Sequence, residues 1–253
     1  MIKITDTVKH LLIINVIMFL GSQVIGGGTL FYDWFSMFFP KNPSFEPWQI
    51  ITHMFMHGGL MHIGFNMLAL WMFGSPVEQR MGSNKFLFLY FSAGFGALAL
   101  QVGFSYYQFY DSLSILINAG FDKDQILQVL SSGPNIYDTR WEKVLDPKQL
   151  MNIVGVFNTP MVGASGAIMG VLAAFGMMYP EARLMLIFFP VPIKAKYFIP
   201  GIIILDLISA LTGQSFFSPS NTAFMAHVGG AITGFFIMWY WKKNQFNQNR
   251  WDL

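Results

Sequence analysis

The chain has 253 residues, 54% of them hydrophobic and 11% charged, with a net charge of +2 and a mean hydropathy of +0.47. Soluble domains run near 25% charged, so this composition excludes an ordinary water-facing surface and reads as an integral membrane protein. The lack of cysteine excludes disulfides and thiolate chemistry, and so small a net charge gives no basis for nucleic-acid binding.

A helix needs about 20 apolar residues to cross the hydrocarbon core. The first such window is residues 8–27, VKHLLIINVIMFLGSQVIGG. No small-x-small cleavage pattern follows it, so it reads as an anchor and not as a signal peptide. Residues 28–57 contain FYDWFSMFFPKNPSFEPW and form a loop apolar enough to lie in the membrane interface. The second and third windows are 58–75 and 85–106. A long region, 107–160, follows. Within it FDKDQILQVLSS, 121–132, sets Phe121, Ile126, Leu127 and Leu130 at the spacing of a short amphipathic helix. SSGPN ends that helix, and a second polar helix is expected near 139–151. The fourth window, 163–180, begins at GASG; the fifth is 195–213 and the sixth 222–241. The expected architecture is a single all-α membrane domain over 1–253 with six spanning helices, an interfacial first loop and a long insertion at 107–160. No internal repeat is visible.

Basic residues set the orientation. With the N-terminus in the cytoplasm, ten of them (Lys3, Lys9, Arg80, Lys85, Arg183, Lys194, Lys196, Lys242, Lys243 and Arg250) lie inside. Five remain outside, diluted by eight acids in the same loops. Both termini are then cytoplasmic, and a bacterial inner membrane is the expected location.

Polar residues are expensive in lipid and turn toward one another or toward a water-filled cavity. Spans two, four and six carry His62, Asn66, Ser165 and His227. His62 and Asn66 are four apart and share a helix face. In the orientation above all three spans start on the outer side, which puts the four residues within about 12 Å of the outer ends. Gly166–Gly170 and Gly230–Gly234 are small-xxx-small pairs that let two helix backbones approach closely. That approach brings Ser165 within reach of His227. A serine needs an adjacent base to act as a nucleophile, and histidine is the usual one. Asn66, His62 and the backbone N–H of Ser165 supply donors for an oxyanion. The sequence offers this pair no identifiable carboxylate partner.

HMFMHGGLMHIGFNMLALWMFG, GSPVEQRMG, GASG and AHVGG together resemble the rhomboid family of intramembrane serine proteases. The motifs fall in the family's order and on its six helices. The resemblance implies a six-helix rhomboid-like bundle around a cavity open to the outside. It further implies cofactor-free hydrolysis of peptide bonds in or near the transmembrane helices of other proteins. By position, Ser165 is the nucleophile, His227 the base, and His62, Asn66 and the Ser165 amide the oxyanion donors, with Gly163, Gly166, Met169 and Gly230 in support. There are departures. Many members carry an aromatic residue four positions after the serine, where this chain has Met169. A Trp-Arg pair common in the first loop is here Trp48-Gln49, without the cation.

Ser165 also suits a small packing residue, His227 a buried ring bonded to a carbonyl, and Asn66 interhelical glue. His53, His57 and His62 lack the acid or cysteine that a metal cluster would add, so no metal is expected. His53 and His57 read as polar anchors of the loop–helix junction. Glu78 and Arg80 read as a structural pair at the opposite membrane face, and Asp206, the one acid in the middle of a span, as structural or gating. The rival functions are a catalytically inactive family member that binds membrane clients, and a transporter using intramembrane His, Asn and Asp. The partners expected are transmembrane substrates and the lipid bilayer, with no nucleic acid; the oligomeric state is not legible.

Overall fold

In hydrocarbon a chain must satisfy its own backbone N–H and C=O groups, and long apolar runs therefore become helices. The computed structural model describes residues 3–186, 189–216 and 222–244. Its helices are α1 (Asp6–Val24), α2 (Leu30–Phe35), α3 (Gln49–Thr52), α4 (Leu60–Ala69), α5 (Ser75–Met81), α6 (Ser83–Asn118), α7 (Lys123–Ser131), α8 (Pro147–Asn158), α9 (Ser165–Met178), α10 (Ala195–Thr212) and α11 (Phe224–Asn244). Among the described residues, four helical stretches are long and apolar enough to cross a membrane: Asp6–Val24, Leu60–Met81, Ser83–Asn118 and Ala195–Thr212. The second of these joins α4 to α5 through a π-helical turn, Leu70–Gly74. Pro76 lies just beyond and lacks the N–H that would continue the regular ladder.

Two compact units are present: Met1–Leu20, Met54–Gln101 and Gly163–Leu253 in the first, Gly21–His53 and Val102–Val162 in the second. In the first, α9 is the buried element. At 14 residues it is about 21 Å long, short of the roughly 30 Å hydrocarbon thickness. Eleven of its residues are buried, and a helix apolar all round belongs inside a bundle. Its neighbours come very close. A Cβ on Gly230 would overlap the carbonyl of Gly166, and one on Gly234 would stand 2.6 Å from the Cα of Gly170. A Cβ on Gly229 would meet the carbonyl oxygen of Gly96 in α6 at 2.6 Å. Thus α6, α9 and α11 meet on small residues, the packing that lets helices associate without a hydrophobic driving force between them.

Glu78 of α5 ties down the start of α1. Its carboxylate accepts from the Thr5 hydroxyl, from the backbone N–H groups of Thr7 (3.1 Å) and Val8 (3.0 Å), and from the Ser83 hydroxyl (2.8 Å). It therefore satisfies two of the amides that a helix N-terminus leaves unpaired. The Arg80 guanidinium lies over the Tyr179 ring. Between α9 and α10 the chain forms an unforeseen antiparallel hairpin of β1 (Arg183–Leu186) and β2 (Phe189–Lys194), with Arg183 opposite Lys194. Lys194 and Lys196 clamp Glu181 at 2.7 and 2.5 Å, and these bonds hold its carboxyl down at about 2.

The second unit corrects the reading of 107–160 as an insertion beginning after span three. Helix α6 continues to Asn118 and stops at Gly120, whose φ is +94°. Polarity rises after Tyr106, yet Phe109, Leu113 and Leu116 keep the helical period and are fully or almost fully buried. They pack with Phe39, Ile126, Leu130, Trp141, Ile153 and Phe157 in one core. Asp122 caps α7, accepting from Asp124 and Gln125 N–H at 3.0 Å. The single helix expected over 139–151 is instead a 3-10 turn, Thr139–Lys143, followed by α8. Pro147 cannot continue a preceding helix but suits the first turn of a new one, and Asp146 with Gln149 forms a capping box there.

Gln49, expected only as a missing cation, is fully buried. Its side chain accepts the Phe38 N–H at 3.2 Å and donates to the Ser44 carbonyl at 2.9 Å, pinning the loop that precedes α3.

The glycine contacts yield a paired test. Gly230→Ala forces a methyl into backbone and is expected to destabilise by at least about 1–3 kcal/mol, the usual cost of overpacking. Gly155→Ala, inside α8 with open space around it, is expected to stabilise by roughly 0.5–1 kcal/mol. Thermal unfolding midpoints in detergent should move in opposite directions.

Candidate functional site

The four polar residues expected to converge all belong to the first unit. Ser165 is the first residue of α9, so its own N–H is among those a helix start leaves without an intrahelical partner. The turn before it contains Gly163 at φ +124°, a conformation that L side chains rarely adopt. The place where a Cβ of Gly163 would stand is 2.8 Å from Nε2 of His62 and 3.7 Å from Oγ of Ser165. Glycine therefore leaves room for a small atom between those two groups.

His227 sits on the first turns of α11. Its Nε2 lies 2.8 Å from the Ser165 Oγ. Its Nδ1 lies 2.8 Å from Oδ2 of Asp206, on α10. The expectation of no carboxylate partner is thus corrected: Asp206 is that partner, and its residue is only 5% exposed. Its separation of 21 residues from His227, across a different helix, hid the pairing. A lone acid in an apolar span was the only available signal. The N-terminus of α11 is held by Gln101 of α6, whose side-chain oxygen accepts the Ala226 N–H at 3.2 Å.

His62 and Asn66 occupy one face of α4. Asn66 is buried, and its Nδ2 has no partner among the described residues. A buried amide without a partner is costly unless something arrives to accept from it. The Gly58 N–H points at Nδ1 of His62 at 3.4 Å. With Nδ1 as acceptor, the neutral ring carries its hydrogen on Nε2, the atom facing Gly163. Gly166 and Gly230 set the distance between α9 and α11. Met169 is buried in the apolar core of this unit.

His53 and His57 lie outside the spanning segments. His53 Nδ1 is 2.7 Å from the Gln49 carbonyl, which anchors the end of the loop. Both ring nitrogens of His57 are buried without a partner among the described residues, and its ring stands edge-on to His62 with centroids 5.1 Å apart. No group of three or more His, Cys, Asp or Glu suited to a metal occurs among the described residues.

A serine hydroxyl bonded to a histidine, on helices packed through glycine in an all-helical membrane bundle, defines a narrow class of protein. The Rhomboid domain family matches residues 44–121 and 144–244, and the chain belongs to the rhomboid family. It is 29% identical over 196 residues to Rhomboid protein 1, mitochondrial, of Saccharomyces cerevisiae, across 77% of this chain and 42% of that protein. It is 40% identical over 72 residues to Rhomboid protease GlpG of Salmonella paratyphi A and of Salmonella typhi, across 28% of this chain and 26% of each relative. The chain thus spans less than half the length of these curated relatives.

Burial pushes His53 and His57 from the ordinary 6.5 down to about 4, with the neighbouring His62 adding to the effect at His57. Between those values the unfolded chain binds more protons than the folded one, so stability falls as the pH drops from 6.5 toward 4. Thermal midpoints of the wild type should decline over that window. Gln at either position should reduce the decline, and an unaltered pH dependence in both variants would refute neutral burial of these rings.

Proposed function

We propose that this chain is an intramembrane serine endopeptidase that cuts other proteins in or near their transmembrane segments. The observation that carries the reading is the 2.8 Å contact between Ser165 Oγ and His227 Nε2. In it the hydroxyl donates to the ring, as a serine poised for deprotonation must.

The chemistry runs through this chain's own groups. The substrate carbonyl carbon meets Oγ of Ser165 while its oxygen enters the space left by Gly163. As the C–O bond forms, the hydroxyl proton passes to Nε2 of His227. Negative charge gathers on the former carbonyl oxygen. Asn66 Nδ2, His62 Nε2–H and the Ser165 N–H are the donors available to it, and fixed donors are worth most where water is scarce. His227 then returns its proton to the leaving amine, the peptide bond breaks and an acyl-serine remains. Water attacks the ester with His227 again as base, which frees the second product. No cofactor or metal enters any step.

The basic-residue asymmetry supports an orientation with both described chain ends, Lys3 and Asn244, on the cytoplasmic side, and in this reading the membrane is a bacterial inner membrane. The whole chain acts as a single rhomboid-type domain in this reading. Its substrates are membrane proteins and its medium the bilayer.

Ser165→Ala removes one hydroxyl from a small-residue site. Cleavage of a transmembrane peptide in proteoliposomes should vanish while the unfolding midpoint holds; persistent cleavage sinks the mechanism. Asn66→Ala should lower kcat roughly 10- to 1000-fold, up to the loss typical of one oxyanion donor. An unchanged rate would remove Asn66 from that role.

A further inference from the structure

We propose that Asp206 is the positioning residue of this site: a carboxylate that fixes the tautomer and direction of His227, turning the serine–histidine pair into a membrane-embedded triad. The inference deepens the proteolytic reading and rests on it.

The geometry is linear in its logic. His227 has two ring nitrogens, and each has one partner, Ser165 Oγ at 2.8 Å and Asp206 Oδ2 at 2.8 Å. An ionised carboxylate can only accept. Nδ1 must therefore carry the hydrogen, and in the neutral ring Nε2 is left bare toward Ser165. Without the carboxylate the ring is free to place its hydrogen on Nε2, where it faces the serine and cannot take a proton.

Burial makes the arrangement more than incidental. Asp206 is the only acid in α10, it lies well inside an apolar helix, and its side chain is 8% exposed. A carboxylate at such depth is expensive and persists where a partner holds it. When the Ser165 proton reaches Nε2, His227 becomes an imidazolium 2.8 Å from that carboxylate. In this proposal Asp206 takes no proton from the ring; protons pass at Nε2, from Ser165 Oγ to the leaving amine and later from water to the departing serine oxygen. A simple clamp between α10 and α11 would impose the same tautomer, but its loss would lower the unfolding midpoint and leave kcat and the labelling rate of the folded protein near wild type, and this difference can be measured.

The test uses the full chain in detergent as wild type, Asp206→Asn and Asp206→Glu. Three readouts are taken: the rate of Ser165 labelling by a fluorophosphonate, kcat and KM on a transmembrane peptide, and the His227 tautomer by NMR with isotope-labelled histidine. Asp206→Asn should keep its unfolding midpoint and lose roughly 100- to 10,000-fold in labelling rate and kcat, as wrong-tautomer variants of serine triads do. KM should stay nearly constant, and the His227 hydrogen should shift from Nδ1 toward Nε2. Asp206→Glu should recover part of the loss. Labelling and kcat near wild type in Asp206→Asn, or an effect confined to KM, would overturn the proposal. If Asp206→Asn fails to fold, Asp206→Glu decides: a fall in kcat and labelling at an unchanged unfolding midpoint supports the role, and a wild-type kcat in Asp206→Glu or an Nε2–H tautomer in the wild type ends it. If the wild type neither labels nor cleaves, the proteolytic reading falls, while the tautomer shift still decides whether Asp206 sets the ring.

Discussion

The contact of α9 with α11 through bare backbone governs the first unit. Gly166 and Gly170 face Gly230 and Gly234 so closely that a methyl group on either of the last two would collide with main chain. Side chains of ordinary size would hold the helices 8–10 Å apart. Closer packing shortens the gap that the Ser165 and His227 side chains have to bridge. The glycines thus act at a distance: they bring α9 and α11 together where Nε2 and Oγ form a hydrogen bond. Ala93 and Ala97 of α6 close the third side of the same seam. Burial of α9 follows, because a short apolar helix surrounded by others has little exposure to lipid.

The polar residues obey a second constraint. Each is a liability in a spanning helix and is tolerated where another group, a cavity or a substrate can satisfy it. His227 is satisfied on both sides. The amide of Asn66 is not, and His62 directs its Nε2 into the gap beside Gly163. The site therefore combines a finished half, in which Asp206, His227 and Ser165 are already bonded, with an open half whose donors await an acceptor. A site for acyl transfer needs that division, since donors already paired in the resting state have nothing to offer when charge develops.

The second unit shows how a region without long hydropathy can still build a core. Phe109, Leu113 and Leu116 maintain a helical period after the apolar run ends, and Trp141 and Phe157 join them. A window judged by mean hydropathy closes at Tyr106; one judged by period continues to Asn118. The polar helix near 139–151 failed for a local reason, since Asp146-Pro147 reads as a helix start and not as an interior. Gln49 lacks the cation of a Trp-Arg pair, but its two-ended amide is what a buried loop full of unpaired backbone needs.

Much of this protein was legible in one dimension because membrane chemistry is severe. Long apolar runs had to be helices, rare polar residues had to find one another, and glycine at a spacing of four had to mark close packing. Those rules place Ser165, His227, His62 and Asn66 at one depth of the membrane. The partner of His227 was out of reach. Asp206 is recognisable as a costly acid in a helix, but which ring it faces depends on the rotation of α10 about its axis. Nothing in an apolar helix sequence specifies that angle, since lipid and protein interior are alike to Leu and Ile. Likewise the vacancy at Gly163, the bare Nδ2 of Asn66 and the hydrogen placement on His62 arise from how three helices and a turn meet. Sequence determined which groups the chain had to hide; only the packed structure decided what each of them faces.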